Sequence, residues 1–286
     1  MKIAFISDVH ANLPALEAVF EDLSRRAVGT VYCAGDILGY NTFPDQTVEL
    51  LRRKGVHCIA GNHDRAVLVG TKGMNSIAAA AIEWTRSNMS QDTYEFIREL
   101  PNSIHRPLEG VMTAIHHGSP RFMSEYIFEE HVNDELLELA GARLLVLGHT
   151  HMPFVAHFPA GTVLNPGSVG QPRDGDNRAS YAIWDAVEPD IEVVAVAENG
   201  EQGLAAVAEH RPDILLTVAR HRCDDNHCHG EKCPTTPPHT GKEQWTHLLY
   251  QTVLSHETSH SSNSSASPLP RAAPLQPGTR GRSPHS

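Results

Sequence analysis

Residues 2–10 read KIAFISDVH, a short apolar run that gives way to Asp8-Val9-His10. Apolar at successive positions, residues 2–7 predict a short buried strand, and its end delivers a carboxylate and an imidazole. From residue 12 or 13 to 26, Leu13, Leu16, Val19, Phe20 and Leu23 recur at helical spacing. Pro14 falls in the first turn, where its missing N–H costs nothing. Residues 28–34 read as a second strand, 44–54 as a second helix and 56–60 as a third strand. This alternation implies a parallel α/β sheet. Helical patterns continue at 76–88, 91–100 and 132–139. Strand-like runs at 111–116, 143–148, 153–158, 162–165, 179–185 and 192–197 predict a second, mixed sheet.

Chemistry-bearing residues cluster where these strands end. After the first strand come Asp8 and His10, which period-2 alternation puts on one side if the chain stays extended. The second ends in Gly35-Asp36 and the third in Gly61-Asn62-His63-Asp64. Later apolar runs end in His116-His117-Gly118 and Gly148-His149-Thr150-His151. Ligands gather outside the carboxyl ends of strands in open α/β sheets, and carboxylates with neutral imidazoles are what borderline divalent metals require. His116 and His117 are strand neighbours facing opposite ways, so at most one of them is read as a ligand. Cys33 and Cys58 lie in apolar runs and read as small core residues.

Composition narrows the function classes. The chain has 286 residues and a formal net charge of −11. It divides sharply: residues 1–218 carry −13, and the last 68 residues carry +2. An acidic body argues against binding long nucleic acid, and no run of 18 apolar residues suggests a membrane span. The N-terminus does not read as a secretory signal. Five cysteines, an odd number, do not make a disulfide framework, and a reducing, cytoplasmic setting is expected. Eleven of the 19 histidines belong to the body. Eight lie after Val218, in a His-, Ser-, Thr- and Pro-rich stretch whose composition cannot offset chain entropy. There Cys223, His227, Cys228, His229 and Cys233 lack finger or ribbon spacing and read as an adventitious metal binder.

The series DVH, GD, GNHD, HHG and GHTH, in order over residues 1–197, resembles the calcineurin-like metallophosphoesterase superfamily. DVHANLPALEAV, GDILGY, HGSPR and NPGSVGQPRD resemble its small bacterial phosphodiesterase-type members. The resemblance implies a four-layer α/β/β/α sandwich of two packed mixed sheets holding two metal ions. Asp8, His10 and His151 would bind one metal and Asn62, His117 and His149 the other, with Asp36 bridging. Mn²⁺ is favoured, and Fe or Zn²⁺ also fit the ligand types. His63 would protonate the leaving oxygen or stabilise its charge, and Asp64 would orient His63; as an alternative, the pair is a helix N-terminal turn with a capping Asp. The reaction implied is hydrolysis of a phosphodiester or nucleotide-type substrate by metal-bound hydroxide. Asn12, Arg121 and Arg173 are candidate contacts for a small phosphorylated substrate; as alternatives, Asn12 is a helix N-cap and Arg121 a solvated loop residue. Residues 190–218 more weakly resemble the β–α–β segment of a response-regulator receiver, without the phosphorylatable Asp; 192–197 could instead complete the phosphoesterase sheet. The expected organisation is an enzyme domain at 1–197, a segment of open allegiance at 198–218 and a disordered tail at 219–286. The rival functions are a non-catalytic metal-binding module and a signalling fusion using the receiver-like segment.

Overall fold

A computed structural model describes residues 1–186 and 190–198. The chain opens as expected, with β1 (Lys2–Ile6), α1 (Leu13–Arg25), β2 (Thr30–Cys33), α2 (Pro44–Arg53) and β3 (His57–Cys58). Helices α3 (Asn62–Val69), α4 (Ser76–Asn88) and α5 (Gln91–Glu99) follow, then β4 (Ser103–Leu108), β5 (Val111–His116) and α6 (Asp134–Ala140). The remaining described strands are β6 (Leu144–Val146), β7 (Phe154–Phe158), β8 (Gly161–Asn165), β9 (Arg178–Asp185) and β10 (Asp190–Glu198).

Two five-stranded sheets result, ordered β10-β9-β1-β2-β3 and β4-β5-β6-β8-β7. The first is parallel only through β1, β2 and β3; β9 joins β1 antiparallel, with Ile3 opposite Trp184, and β10 continues antiparallel. This corrects the assignment of 179–185 and 192–197 to the second sheet, and both sheets are mixed, as the resemblance implied. The antiparallel β10 also places 192–197 in the first sheet rather than in a parallel receiver-like unit. Of the expected segments 198–218 and 219–286, only Glu198 lies within the described residues, so the cysteine–histidine cluster of the tail lies outside them.

Strand alternation builds the layers. Ile3 and Phe5 of β1 face the second sheet and meet Ile115 of β5, Leu144 and Val146 of β6, Leu164 of β8 and Trp184 of β9. Ala4 and Ile6 face the other way, against Leu16, Val19 and Leu23 of α1 and Leu51 of α2. On the far side, Leu145 and Val163 pack on Leu136 and Leu137 of α6. With both faces covered, strands read as continuous apolar runs instead of alternating ones, and the order of layers is α/β/β/α. Cys33 and Cys58 are register partners across β2 and β3, both buried and reduced.

Two elements differ from the sequence reading. Helix α3 starts on the residues expected to do chemistry and has only eight residues. Edge strand β4 carries three exposed positions and Pro107, an edge composition that hides strand periodicity.

Candidate metal centre

Strands β1, β2 and β3 of one sheet and β5, β6 and β8 of the other run parallel within their sheets. The segments that follow β1, β2, β3, β5 and β6 carry Asp8 and His10, Asp36, Asn62 and His63, His117, and His149 and His151 respectively. These side chains converge in three overlapping buried groups: Asp8–His10–His151, His10–Asp36–His63 and Asp36–His117–His149, each with its ligand atoms within 4.8 Å of one another. Asp36 Oδ2 lies 3.7 Å from His10 Nε2 and 3.3 Å from His117 Nε2. Asp8 Oδ1 lies 3.2 Å from His151 Nε2. Asn62, expected as a ligand, sets its Oδ1 3.1 Å from His117 Nε2.

The expected extended run from Asp8 to His10 is not what brings these two together. β1 ends at Ile6, and Asp8, His10, Asp36, His149 and His151 all have left-handed backbones, φ 51° to 66°. Residues other than Gly occupy that region at a cost, and they persist where the surroundings over-determine them. Here the surroundings are hydrogen bonds between loops. The amides of His10 and Ala11 donate to Asp36 and Ile37 carbonyls at 2.9 and 2.7 Å, and Asp8 donates to Gly35 at 3.0 Å. Gly61 and Gly148 allow the loops to meet. A Cβ on Gly61 would run into the Asp36 carboxylate, and one on Gly148 into Ser7 Oγ.

Ring tautomers follow from backbone carbonyls. His10 Nδ1 contacts Leu38 O at 3.1 Å, His117 Nδ1 contacts Ala34 O at 2.8 Å, and His151 Nδ1 contacts Gln171 O at 2.5 Å. A carbonyl accepts only from N–H, so each of these rings presents its Nε2 lone pair to the site. His149 is the reverse: its Nε2 donates to Ser124 O at 3.2 Å, leaving Nδ1 for the centre.

The residues fit a cation. Asp8 Oδ1 is buried without a hydrogen-bond partner, and it faces imidazole nitrogens oriented to give lone pairs rather than protons. Burial alone raises a carboxyl pKa, yet the surrounding histidines hold Asp8 and Asp36 below the usual range. Burial would lower His117, but Asp36, with Asp8 behind it, pushes it up to about 9. Burial and His117 push His149 down to about 4. A proton on His117 would balance carboxylate charge in the place a metal would take. Carboxylates, imidazoles and one amide oxygen suit Mn²⁺, Fe or Zn²⁺.

The Asp64 carboxylate binds backbone amides rather than the His63 ring, and one of these bonds caps α3, as its alternative reading has it. Its Oδ2 accepts from Ile37 N at 3.2 Å and Gly61 N at 2.9 Å, and its Oδ1 from Leu38 N at 3.0 Å. It therefore ties the loop after β2 to the start of α3. Burial, with Asp36 nearby, pushes its pKa up to about 7. His63 Nδ1 has no hydrogen-bond partner. The ring is held by packing instead, 4.8 Å from His10 and 4.7 Å from Tyr40 between centroids, and closely against Gly39. Burial lowers its pKa.

The three substrate-contact candidates separate. Asn12 uses Oδ1 to cap α1 at Ala15 N, 3.2 Å, and Nδ2 to donate to Gly170 O, 3.1 Å; its N-cap alternative holds. Arg121 is ion-paired with Glu125 at 2.8 Å. Only Arg173 lines the open cavity of about 650 Å³ over Asp36, His63 and His149. His116 is half-buried at the end of β5, and burial and His105 lower its pKa.

Sequence reasoning missed the buttress behind the centre. Asn165 Nδ2 donates to Gly148 O at 2.9 Å and to Thr150 Oγ1 at 3.0 Å, and Ser168 Oγ donates to Asp8 O at 2.8 Å. The turn-forming run Asn165-Pro166-Gly167-Ser168 was its signal, because a turn that supplies side-chain donors can brace neighbouring loops.

A family model described as the calcineurin-like phosphoesterase superfamily domain matches residues 1–188. An uncharacterized protein of Methanocaldococcus jannaschii is 37% identical over 214 residues, which cover 68% of this chain and 86% of that protein. The crystal structure of a metallophosphoesterase from Sphaerobacter thermophilus is similar at a TM-score of 0.63, with 32% identity, over 76% of this chain and 98% of that one. A hypothetical protein from Pyrococcus horikoshii has the same fold at a TM-score of 0.66, with 18% identity, over 75% of this chain and 96% of that one.

Proposed function

The chain belongs to the calcineurin-like phosphoesterase superfamily, and on that premise we propose that it hydrolyses a small phosphodiester or nucleotide-type phosphoester with two metal ions. The observation that carries this reading is the Asp36 carboxylate, shared by two of the three buried ligand groups. Asp8, His10 and His151 would hold one ion, Asn62, His117 and His149 the other, and Asp36 would bridge. A metal pair there would supply Lewis acidity and water activation. Mn²⁺ is the favoured ion, on the family resemblance.

The chain's own groups do the rest. His63 lines the cavity beside Asp36 and would hand a proton to the leaving oxygen. Packing against Gly39, Tyr40 and His10 fixes its ring for that task. Asp64 is a positioning residue that fixes the two loops carrying Asp36 and His63. Arg173, exposed at the cavity edge, would grip the phosphoryl oxygens, a geometry guanidinium matches in bidentate fashion. The sequence motifs favour the small bacterial phosphodiesterase type. Buried, reduced Cys33 and Cys58 suit a cytoplasmic setting, and no helix among the described residues is long and apolar enough to cross a membrane.

The test is a screen of the purified chain with Mn²⁺, Fe²⁺ or Zn²⁺. Its substrates are bis-p-nitrophenyl phosphate, p-nitrophenyl phosphate, cyclic nucleotides and dinucleoside polyphosphates. Mn²⁺-dependent hydrolysis of a diester or nucleotide is the expected result. No hydrolysis with any ion would remove the reading in favour of a non-catalytic metal-binding module.

A further inference from the structure

We propose that Tyr126 seats an aromatic ester group of the substrate, a nucleobase or a simple aryl ring, next to the metal centre. The inference rests on the phosphoesterase reading above and names the class of group that the substrate carries. Tyr126 lies between β5 and α6 and is 51% exposed, yet it also lines the cavity above Asp36, His63 and Arg173. Its ring centroid stands 4.1 Å from that of His149, tilted by 32°. Phe128 lies almost parallel to it, at 9° and 6.1 Å. The ring thus packs against His149 and Phe128, with half its surface left to water in the cavity that Asp36 and His63 also line.

A second exposed apolar side chain lines the cavity. Val69, at the end of α3, is 83% exposed and lines it with half-buried Met74, beside Arg65, Lys72 and Asn75. Single exposed apolar residues are ordinary on protein surfaces; Tyr126 and Val69 lining one cavity together with a metal-ligand cluster are not. The volume of about 650 Å³ falls in the range that encloses a whole small molecule, well beyond a bare phosphate. Tyr40 closes the inner end, its ring 4.7 Å from those of His10 and His63. One cavity lining thus combines metal ligands, a guanidinium and an aromatic face. That combination matches a phosphoester whose substituent is flat and stacks, because ring faces prefer offset or tilted partners and accept any base.

The experiment measures binding without turnover. Methylphosphonate, phenylphosphonate and adefovir, an adenine phosphonate, all keep an uncleavable P–C bond. Each is titrated calorimetrically into the Mn²⁺-loaded full chain, as wild type, Tyr126→Phe and Tyr126→Ala, with metal content checked for each. Wild type should bind phenylphosphonate about tenfold more tightly than methylphosphonate, the size expected of one good stacking contact. Tyr126→Phe should keep that ratio and Tyr126→Ala should bring it close to one. Adefovir binding above phenylphosphonate identifies a nucleobase as the natural group; the reverse order identifies a simple aryl ring. A wild-type ratio near one, or a ratio unchanged in Tyr126→Ala, overturns the proposal while leaving the hydrolytic reading standing. Intact ratios in a chain that hydrolyses no ester would overturn the hydrolytic reading alone, and no binding of any phosphonate would overturn both.

Discussion

Asp36 and His63 are joined through one hydrogen bond, the His63 amide donating to Asp36 Oδ1 at 2.8 Å, but the two side chains have separable tasks. Asp36 Oδ2 faces His10 and His117, so Asp36→Ala removes a donor from two ligand groups at once. Its metal content should fall for both ions. His63→Ala leaves the other carboxylate and imidazole donors in place. Elemental analysis should still find the metals, while turnover drops by about 10²–10⁴, the usual range for a lost general acid. Turnover equal to wild type would remove His63 from the mechanism. The placement of these side chains was legible because a carboxylate or imidazole at the end of each successive strand is a sequence pattern. Asp64 as a helix-capping acid was legible too, but its tie to the loop after β2 was not. Its partners, the amides of Ile37 and Leu38, lie 27 and 26 residues away, and a backbone donor leaves no mark in side-chain composition.

At the scale of elements, the attachment of β9 and β10 to the first sheet rests on a polar link as well as on the ladder. Tyr181 of β9 donates to Asp22 Oδ2 of α1 at 2.5 Å, and Arg26 Nε donates to the same oxygen at 2.6 Å. Arg26 also reaches Glu192 of β10 at 3.3 Å. Tyr181 is buried, so Tyr181→Phe keeps the packing and removes one hydrogen bond to a charged acceptor, about 1.5–3 kcal/mol. At roughly 2–4 °C per kcal/mol for a body of this size, melting should fall by several degrees near pH 7. The loss should shrink at both extremes of pH. Burial works to raise the Asp22 pKa, but Tyr181 and Arg26 outweigh it and hold it below 3.8. Its contribution is therefore present above the unfolded pKa and disappears as pH falls through the folded one. Burial and the bond to Asp22 hold the Tyr181 pKa above 10, so its contribution fades as pH climbs past 10. Equal melting of variant and wild type at pH 7 would show the link to be without effect. The strands themselves were readable as apolar runs, whereas their sheet was not. Pairing with β1 is set by Ile3 opposite Trp184, and periodicity within a segment carries no record of its neighbour.

For the whole molecule, the centre and the fold are one problem in electrostatics. Five chain segments from two sheets meet at Asp8 and Asp36, both buried and both held ionised. Buried carboxylates are tolerated only when paired, and Asp36 in turn raises the pKa of His117 beside it. The two-sheet body was legible because each layer repeats a local pattern. The point at which the sheets pin each other was legible only as a list of ligand types, since it is a property of loops brought from opposite ends of the body. It follows that metal binding should also be a stability term. A ligand that binds only the folded state at a hundredfold over its Kd contributes about 2.7 kcal/mol, or roughly 5–10 °C of melting temperature per ion at this size. Scanning calorimetry of the Mn²⁺-loaded chain with and without a chelator should show a drop of that order. Asp36→Ala, unable to bridge, should melt at the same temperature in both conditions. A wild-type chain whose melting ignores the chelator would mean that the sheets are pinned by protein contacts alone, and that the buried carboxylates are balanced by histidine protons rather than by metal.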